Sequence, residues 1–215
     1  MTVLTHCAQP GSRADGLLDL VLTIAGAILA LFVCMHMVFL SSILFGANAL
    51  NALAGFLDSI HAESVGAVVI SIVFVAHATA AARRIPFKAG QAFTIARHAR
   101  LLHHEDTWRW VVQVLTAFVL LFLVTIHLWE GFTVLPVAAI KSAIRIQHAG
   151  RGWFYLILMP VLFLHLALGV WRLGVKWGFI GRAERAASNK YARYFFFGIF
   201  GYALLTLVRF WTLTI

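Results

Sequence analysis

Long runs of apolar residues, separated by short polar and basic segments, dominate the pattern of this chain. A helix needs about 20 mostly apolar residues to cross a bilayer, and five runs reach that length. They lie at residues 17–45, 63–82, 108–132, 153–175 and 191–211. The pattern therefore predicts an all-α integral membrane protein whose residues 1–215 form one membrane domain, a bundle of five transmembrane helices.

The composition supports a membrane protein and argues against a nucleic-acid-binding one. Hydrophobic residues make up 62% of the chain and charged residues 12%, whereas a soluble domain has about 25% charged residues. The net charge of +9 could indicate nucleic acid as a partner. However, the basic residues lie between apolar runs, where membrane orientation requires them, so we expect no nucleic acid partner.

The basic residues are distributed unequally between the two ends of the predicted helices. One end carries Arg13, Arg83, Arg84, Lys88, Arg97, Arg100, Arg109, Arg172, Lys176, Arg182, Arg185, Lys190 and Arg193. The other end carries Lys141, Arg145, Arg151 and Arg209. Since loops rich in Lys and Arg stay in the cytoplasm, we expect a cytoplasmic N-terminus and an outer C-terminus. Residues 46–62 would form an outer loop, and residues 86–104 a basic cytoplasmic connection.

Four histidines lie inside apolar runs, one in each of the first four predicted helices. They are His36, His77, His127 and His165. A single histidine in a helix is more often a hydrogen-bonding core residue than a metal ligand. Nevertheless, ionisable residues inside a membrane are candidates for function, and four on separate helices can form pairs.

The helical rise of about 1.5 Å per residue predicts which histidines share a depth. Measured from the cytoplasmic end, His36 and His127 both lie roughly 28 Å along their helices. His77 lies roughly 9 Å and His165 roughly 17 Å along theirs, a looser match that helix tilt of about 20° partly covers. Because a b-type haem requires two axial ligands from facing helices, these pairs predict two stacked haems.

Small and cationic residues near the histidines would suit such a cofactor. Gly26 and Gly169 would let helices and flat rings approach closely. Four residues at the cytoplasmic edge are candidates to hold haem propionates: Trp110, Lys176, Arg172 and Arg83. The same residue types mark helix ends in any membrane protein. The alternative is therefore that these four residues only mark the ends of their helices.

The segments around these histidines resemble a known family. They are HMVFLSSILFG, FVAHATAAARRIP, FLVTIHLWEG and LHLALGVWRLGVKWG, and LLHHEDTWRWVVQ precedes the third helix. In order and spacing they are similar to the cytochrome b subunit of di-haem, five-helix quinol:fumarate reductases and the related succinate:menaquinone reductases. The resemblance extends over nearly the whole chain.

The resemblance implies cofactors, partners and residue roles. His36 and His127 would bind the distal haem b, and His77 and His165 the proximal haem b. Trp110 and Lys176 occupy positions that contact haem propionates in the family. The subunit would sit in the bacterial cytoplasmic membrane, oxidise menaquinol and pass electrons to an iron–sulfur subunit and a flavoprotein subunit on the cytoplasmic face. The flavoprotein would hold the fumarate site, and the heterotrimer would dimerise.

Quinol oxidation in the family uses a carboxylate after the first helix. Counted without a gap from the first histidine, that position is Asp58, and His61 and Glu63 are neighbouring candidates. A base is needed because quinol oxidation releases protons together with electrons. The chain departs from the family at Phe163, where some members carry a glutamate proposed to conduct protons.

Two other interpretations remain open from the sequence. Cytochrome b subunits of hydrogenases or formate dehydrogenases also hold two haems, but usually on four helices with two ligands on one of them. A non-redox transporter would be expected to show internal repeats or helices broken at mid-depth. The direction of catalysis, fumarate reduction or succinate oxidation, does not follow from the sequence.

Overall fold

The computed structural model describes residues 13–83, 97 and 105–215. Most of the predicted cytoplasmic connection at residues 86–104 lies outside the described residues. Within them the chain is helical. The helices are α1 (Arg13–Ser41), a 3₁₀ turn (Ser42–Phe45), α2 (Ala47–Ser59), α3 (Ala62–Ala82), α4 (Glu105–Val134), α5 (Ala139–Gln147), α6 (Arg151–Lys176) and α7 (Arg185–Trp211).

The five predicted membrane spans are confirmed. α1 with its 3₁₀ turn, α3, α4, α6 and most of α7 are each long and apolar enough to cross a bilayer. Many large apolar side chains on these helices point away from the protein, among them Leu31, Ile72, Phe122 and Ile157. Exposed apolar surface of this kind marks contact with a membrane or with another protein, and together with the five spans it identifies an integral membrane protein.

Residues 46–62 do not form the expected loop. They contain α2, whose Leu50 and Ala54 are buried against the rest of the protein. The segment is rich in Ala and Leu, which favour helices, but at 13 residues the helix is too short to cross a bilayer. α5 is a second short helix, and its Ala139 and Ala143 are also fully buried.

Four of the long helices surround a common interior. α1 packs against α3 and α6, and α4 packs against α3 and α6. α1 and α4 are therefore diagonal to each other, as are α3 and α6. Each diagonal pair carries one of the predicted histidine pairs, so the arrangement of helices directs both pairs towards the interior.

The fifth long helix closes one side of this bundle. α7 packs mainly on α6 and also contacts α5 and α1. Phe163 of α6 is fully buried, in a cluster with Met37 of α1 and Ala203 of α7. The position at which the resemblance gives some family members a glutamate, proposed to conduct protons, is thus filled here by an aromatic ring in close apolar packing.

Candidate functional site

The structure brings His36 and His127 together in the interior of the bundle. Their ring centroids are 6.1 Å apart, and their planes are inclined by 73°. Phe32, one turn before His36, stacks on the His36 ring at 5.5 Å. The Tyr155 hydroxyl of α6 lies 3.5 Å from Nδ1 of His127. Two imidazoles from diagonal helices therefore face each other, with aromatic rings around them.

His77 of α3 is held closely against α1. A Cβ atom added to Gly26 would lie 3.1 Å from Cε1 of His77 and 3.4 Å from its Nδ1. A larger residue at this position would therefore require the ring or α1 to shift by a few tenths of an ångström. The Nδ1 atom of His77 is buried and has no hydrogen-bond partner among the described residues. Such an orphaned nitrogen in an apolar interior is costly unless something else binds it.

His165 of α6 has a polar contact at each ring nitrogen. Nδ1 lies 2.9 Å from the Thr116 hydroxyl, and Nε2 lies 3.3 Å from the Gln113 side-chain nitrogen. Both partners belong to α4. His165 is also near enough to His77 to interact with it electrostatically. The second histidine pair thus occupies the other diagonal of the same bundle.

These side chains fit the axial ligands of b-type haems. Imidazole nitrogens bind metals at about 2 Å, so two imidazoles sharing an iron have nitrogens about 4 Å apart. The ring centroids of His36 and His127 are 6.1 Å apart. This agrees with that nitrogen spacing, because each centroid lies behind its nitrogen and the centroids are therefore farther apart than the nitrogens. In the second pair, His77 has a buried nitrogen without a hydrogen-bond partner among the described residues, and iron bound at Nε2 of His165 would take the place of the Gln113 contact at 3.3 Å.

Two of the predicted propionate-binding residues converge on one segment of α1. The Lys176 ammonium donates to the Thr23 hydroxyl at 2.6 Å and to the Asp19 carbonyl at 3.3 Å. Arg83 pairs with the carboxylate of Asp19 and lies 3.4 Å from that of Asp15. Cations from α3 and α6 therefore meet at the end of the bundle nearer His77.

The other two predicted propionate-binding residues lie on neighbouring helices. Trp110 is half-buried on α4. Arg172 is half-buried on α6, seven residues after His165, and interacts electrostatically with it. Of the four residues, Lys176 and Arg83 are the two that the structure shows converging on one residue of α1, Asp19.

The three predicted quinol-site residues lie at the opposite end of the bundle. Asp58 is exposed near the end of α2, and His61 is exposed with a left-handed backbone (φ 57°) just before α3. Glu63 is half-buried in the first turn of α3. One carboxylate oxygen of Glu63 accepts the backbone N–H of Val137 at 3.1 Å, and the other is buried without a hydrogen-bond partner among the described residues.

A buried ion cluster near His127 was not predicted from the sequence. Glu130 is 7% exposed and pairs with Arg145 at 2.9 Å and Arg151 at 2.5 Å. The cluster ties α4 to α5 and α6 one turn beyond His127. The sequence shows Glu130 three residues after His127. Its two arginine partners lie on other helices, so the sequence did not reveal the cluster.

Comparison with known proteins is consistent with this geometry. Residues 91–205 match the family model described as succinate dehydrogenase/fumarate reductase transmembrane subunit. The chain is 32% identical over 208 residues to the fumarate reductase cytochrome b subunit of Helicobacter pylori (strain ATCC 700392 / 26695), covering 90% of this chain and 82% of that protein. It is 34% identical over 177 residues to the protein of the same name from Wolinella succinogenes, covering 78% and 69% respectively.

Proposed function

The chain belongs to the family of succinate dehydrogenase and fumarate reductase transmembrane subunits, and from this we propose that it oxidises menaquinol for a fumarate reductase complex. In this proposal it is the cytochrome b subunit, which passes electrons across the membrane to an iron–sulfur subunit. The observation that carries the proposal is the placement of four histidines on the two diagonals of one helix bundle.

Two b haems would occupy the bundle. His36 and His127 would hold the outer haem, and His77 and His165 the inner haem, each through one imidazole nitrogen per residue. Bis-imidazole haem supplies reversible one-electron transfer. The protein's part is to fix the ligands on rigid helices and to exclude water with apolar side chains such as Phe163.

The cations at the inner edge would bind the inner haem's propionates. Lys176 and Arg83 already converge on the Asp19–Thr23 segment. Arg172 and Trp110, on adjacent helices, would complete the binding site for the carboxylates. Charge-assisted hydrogen bonds of this kind are stronger than neutral ones, so they would fix the orientation of the ring in the bundle.

Menaquinol would be oxidised near the outer haem, with Glu63 as the proton acceptor. Its position favours this role because one carboxylate oxygen is anchored by Val137 while the other is buried and unpartnered. Asp58 is the position favoured by ungapped counting from the first histidine, and His61 lies between them. Both are exposed and could receive the proton from Glu63 or replace it as first acceptor.

The partners would dock at the end of the bundle that carries Lys176 and Arg83. The excess of Lys and Arg there favours a cytoplasmic location, which puts the N-terminus inside and the C-terminus outside the bacterial cytoplasmic membrane. An iron–sulfur subunit would bind on this face and connect to a flavoprotein subunit with the fumarate site. The heterotrimer would form a dimer.

A haem count on the purified complex tests this proposal. A pyridine haemochrome assay should give two haems b per chain, and a menaquinol analogue should support fumarate reduction. One haem per chain would mean that one histidine pair is structural. A complex without haem would exclude a cytochrome and favour a transporter or a membrane anchor.

A further inference from the structure

The hydrogen bonds of Thr116 determine which nitrogen of His165 carries a proton. Thr116 is buried on α4, and its hydroxyl lies 2.8 Å from the Val112 carbonyl and 3.1 Å from that of Gln113. A hydroxyl has one proton to donate, and these carbonyls can only accept. The Thr116 oxygen, 2.9 Å from Nδ1 of His165, therefore accepts a hydrogen bond from that nitrogen.

The contact on the other side of the ring agrees with this assignment. If Nδ1 carries the proton of the neutral imidazole, Nε2 has a free lone pair. The Gln113 side-chain nitrogen, a donor, lies 3.3 Å from that Nε2. The Gln113 contact is thus compatible with the tautomer that Thr116 assigns, in which Nε2 is the nitrogen able to bind a metal.

His165 differs in this respect from the other three histidines. His77 has a buried Nδ1 with no hydrogen-bond partner, and the Tyr155 hydroxyl near Nδ1 of His127 is at the long distance of 3.5 Å. Among the described residues, only His165 has a short side-chain hydrogen bond at Nδ1. The threonine contact is therefore specific to one ligand of one pair.

We propose that Thr116 is a positioning residue for the inner haem, which accepts the Nδ1 proton of His165 and so presents Nε2 to the iron. This inference rests on the haem assignment above. A hydrogen bond from the second nitrogen of a ligating histidine fixes its ring orientation and makes it a stronger donor to the metal. A stronger donor stabilises the oxidised iron, so Thr116 holds the inner haem at a lower midpoint potential than His165 would give without it.

The test compares Thr116→Val with Thr116→Ser in the complete complex. Valine keeps the shape of the side chain and removes the hydroxyl, whereas serine keeps the hydroxyl. Thr206→Val is the matched control, because Thr206 is also buried and donates to the carbonyl of Tyr202 on its own helix, α7. Haem content, the midpoint potential of each haem and the low-spin electron paramagnetic resonance spectrum are measured for each variant.

We expect Thr116→Val to raise the midpoint potential of one haem, or to lose that haem, with the other unchanged. The affected signal should be the one missing in His165→Ala, and Thr116→Ser and Thr206→Val should match the parent protein. If Thr116→Val does not assemble, Thr116→Ala, which relieves any crowding, should show the same shift. Two haems with unchanged potentials and spectra in the Val or Ala variant would overturn the inference, as would an effect on the other haem. A parent complex without haem would instead refute the haem assignment itself.

Discussion

The imidazoles of His36 on α1 and His127 on α4 face each other across the diagonal of the bundle, with ring centroids 6.1 Å apart. They are 91 residues apart in the sequence (127 − 36), and no direct packing of the two helices is needed to bring them together. α3 and α6 lie between α1 and α4 on either side. The same four helices place His77 and His165 on the other diagonal, so one bundle can hold both pairs.

Gly26 is expected to be necessary for the inner haem. In Gly26→Ala the new Cβ would lie 3.1 Å from Cε1 of His77, so the ring or α1 must shift. Overpacking of this kind costs about 1–3 kcal/mol, and the displaced imidazole should bind iron poorly. We expect the haem content of the purified complex to fall towards one per chain.

Gly66→Ala is the control for that variant. Gly66 lies on α3, the helix of His77, and a Cβ there has no neighbour within 4 Å. This variant should keep both haems. A Gly26→Ala complex that retains two haems with unchanged spectra would show that the close contact with His77 has no role in ligation.

Glu63→Gln should abolish quinol oxidation while leaving the haems in place. The amide retains the shape of the carboxylate but cannot take up a proton. Loss of a general base typically costs about 10²–10⁴-fold in rate. We therefore expect at least a roughly 100-fold loss of fumarate reduction driven by a menaquinol analogue, with fumarate reduction by an artificial donor unchanged.

Asp58→Asn is the matched comparison at the same end of the bundle. Because Asp58 is exposed, we expect a smaller loss of quinol-driven activity than in Glu63→Gln. The reverse result, an active Glu63 variant and an inactive Asp58 variant, would show that Asp58 is the proton acceptor.

Lys176→Met should lower the midpoint potential of the inner haem. A cation near a haem stabilises its reduced form, so its removal favours the oxidised form. Redox titration of the complex should show a downward shift for the inner haem. Lys141→Met, which removes an exposed cation on α5 at the other end of the bundle, should leave that haem unchanged. Equal midpoint potentials of the inner haem in the parent protein and in Lys176→Met would show that Lys176 does not bind a propionate.

Glu130→Gln should destabilise the outer end of the bundle. Glu130 is 7% exposed and pairs with two arginines, and breaking a buried ion pair costs about 3–5 kcal/mol. Partial exposure of both arginines reduces this cost. Glu105→Gln, whose carboxylate is 75% exposed beside Arg109, should cost about 1 kcal/mol or less. Thermal unfolding followed by the haem absorbance compares them, and equal midpoints would mean that the Glu130 cluster adds nothing to stability.

The sequence predicted the membrane spans well because each span is a long apolar run. It missed α2 and α5 because helices of 13 and 9 residues at the outer end leave no such signal. The depth count from the helical rise also placed His36 opposite His127, since helical rise alone determines depth along a straight span.

Contacts between distant segments could not be predicted in the same way. Thr116 and His165 are 49 residues apart, and Glu130 and Arg145 are 15 apart. These contacts depend on how the helices rotate about their axes and on the position of a short helix that the sequence did not reveal. The polar residues Gln113 and Thr116 inside an apolar run were the only sign of the first contact.

The pairing of the histidines is tested most directly by haem content in two double variants of the complex. His36→Ala with His127→Ala removes both ligands of one haem, so one haem per chain should remain. His36→Ala with His77→Ala removes one ligand from each haem, so none should remain. One haem remaining in the variant with His36→Ala and His77→Ala would contradict this pairing. No haem in the variant with His36→Ala and His127→Ala would contradict it as well.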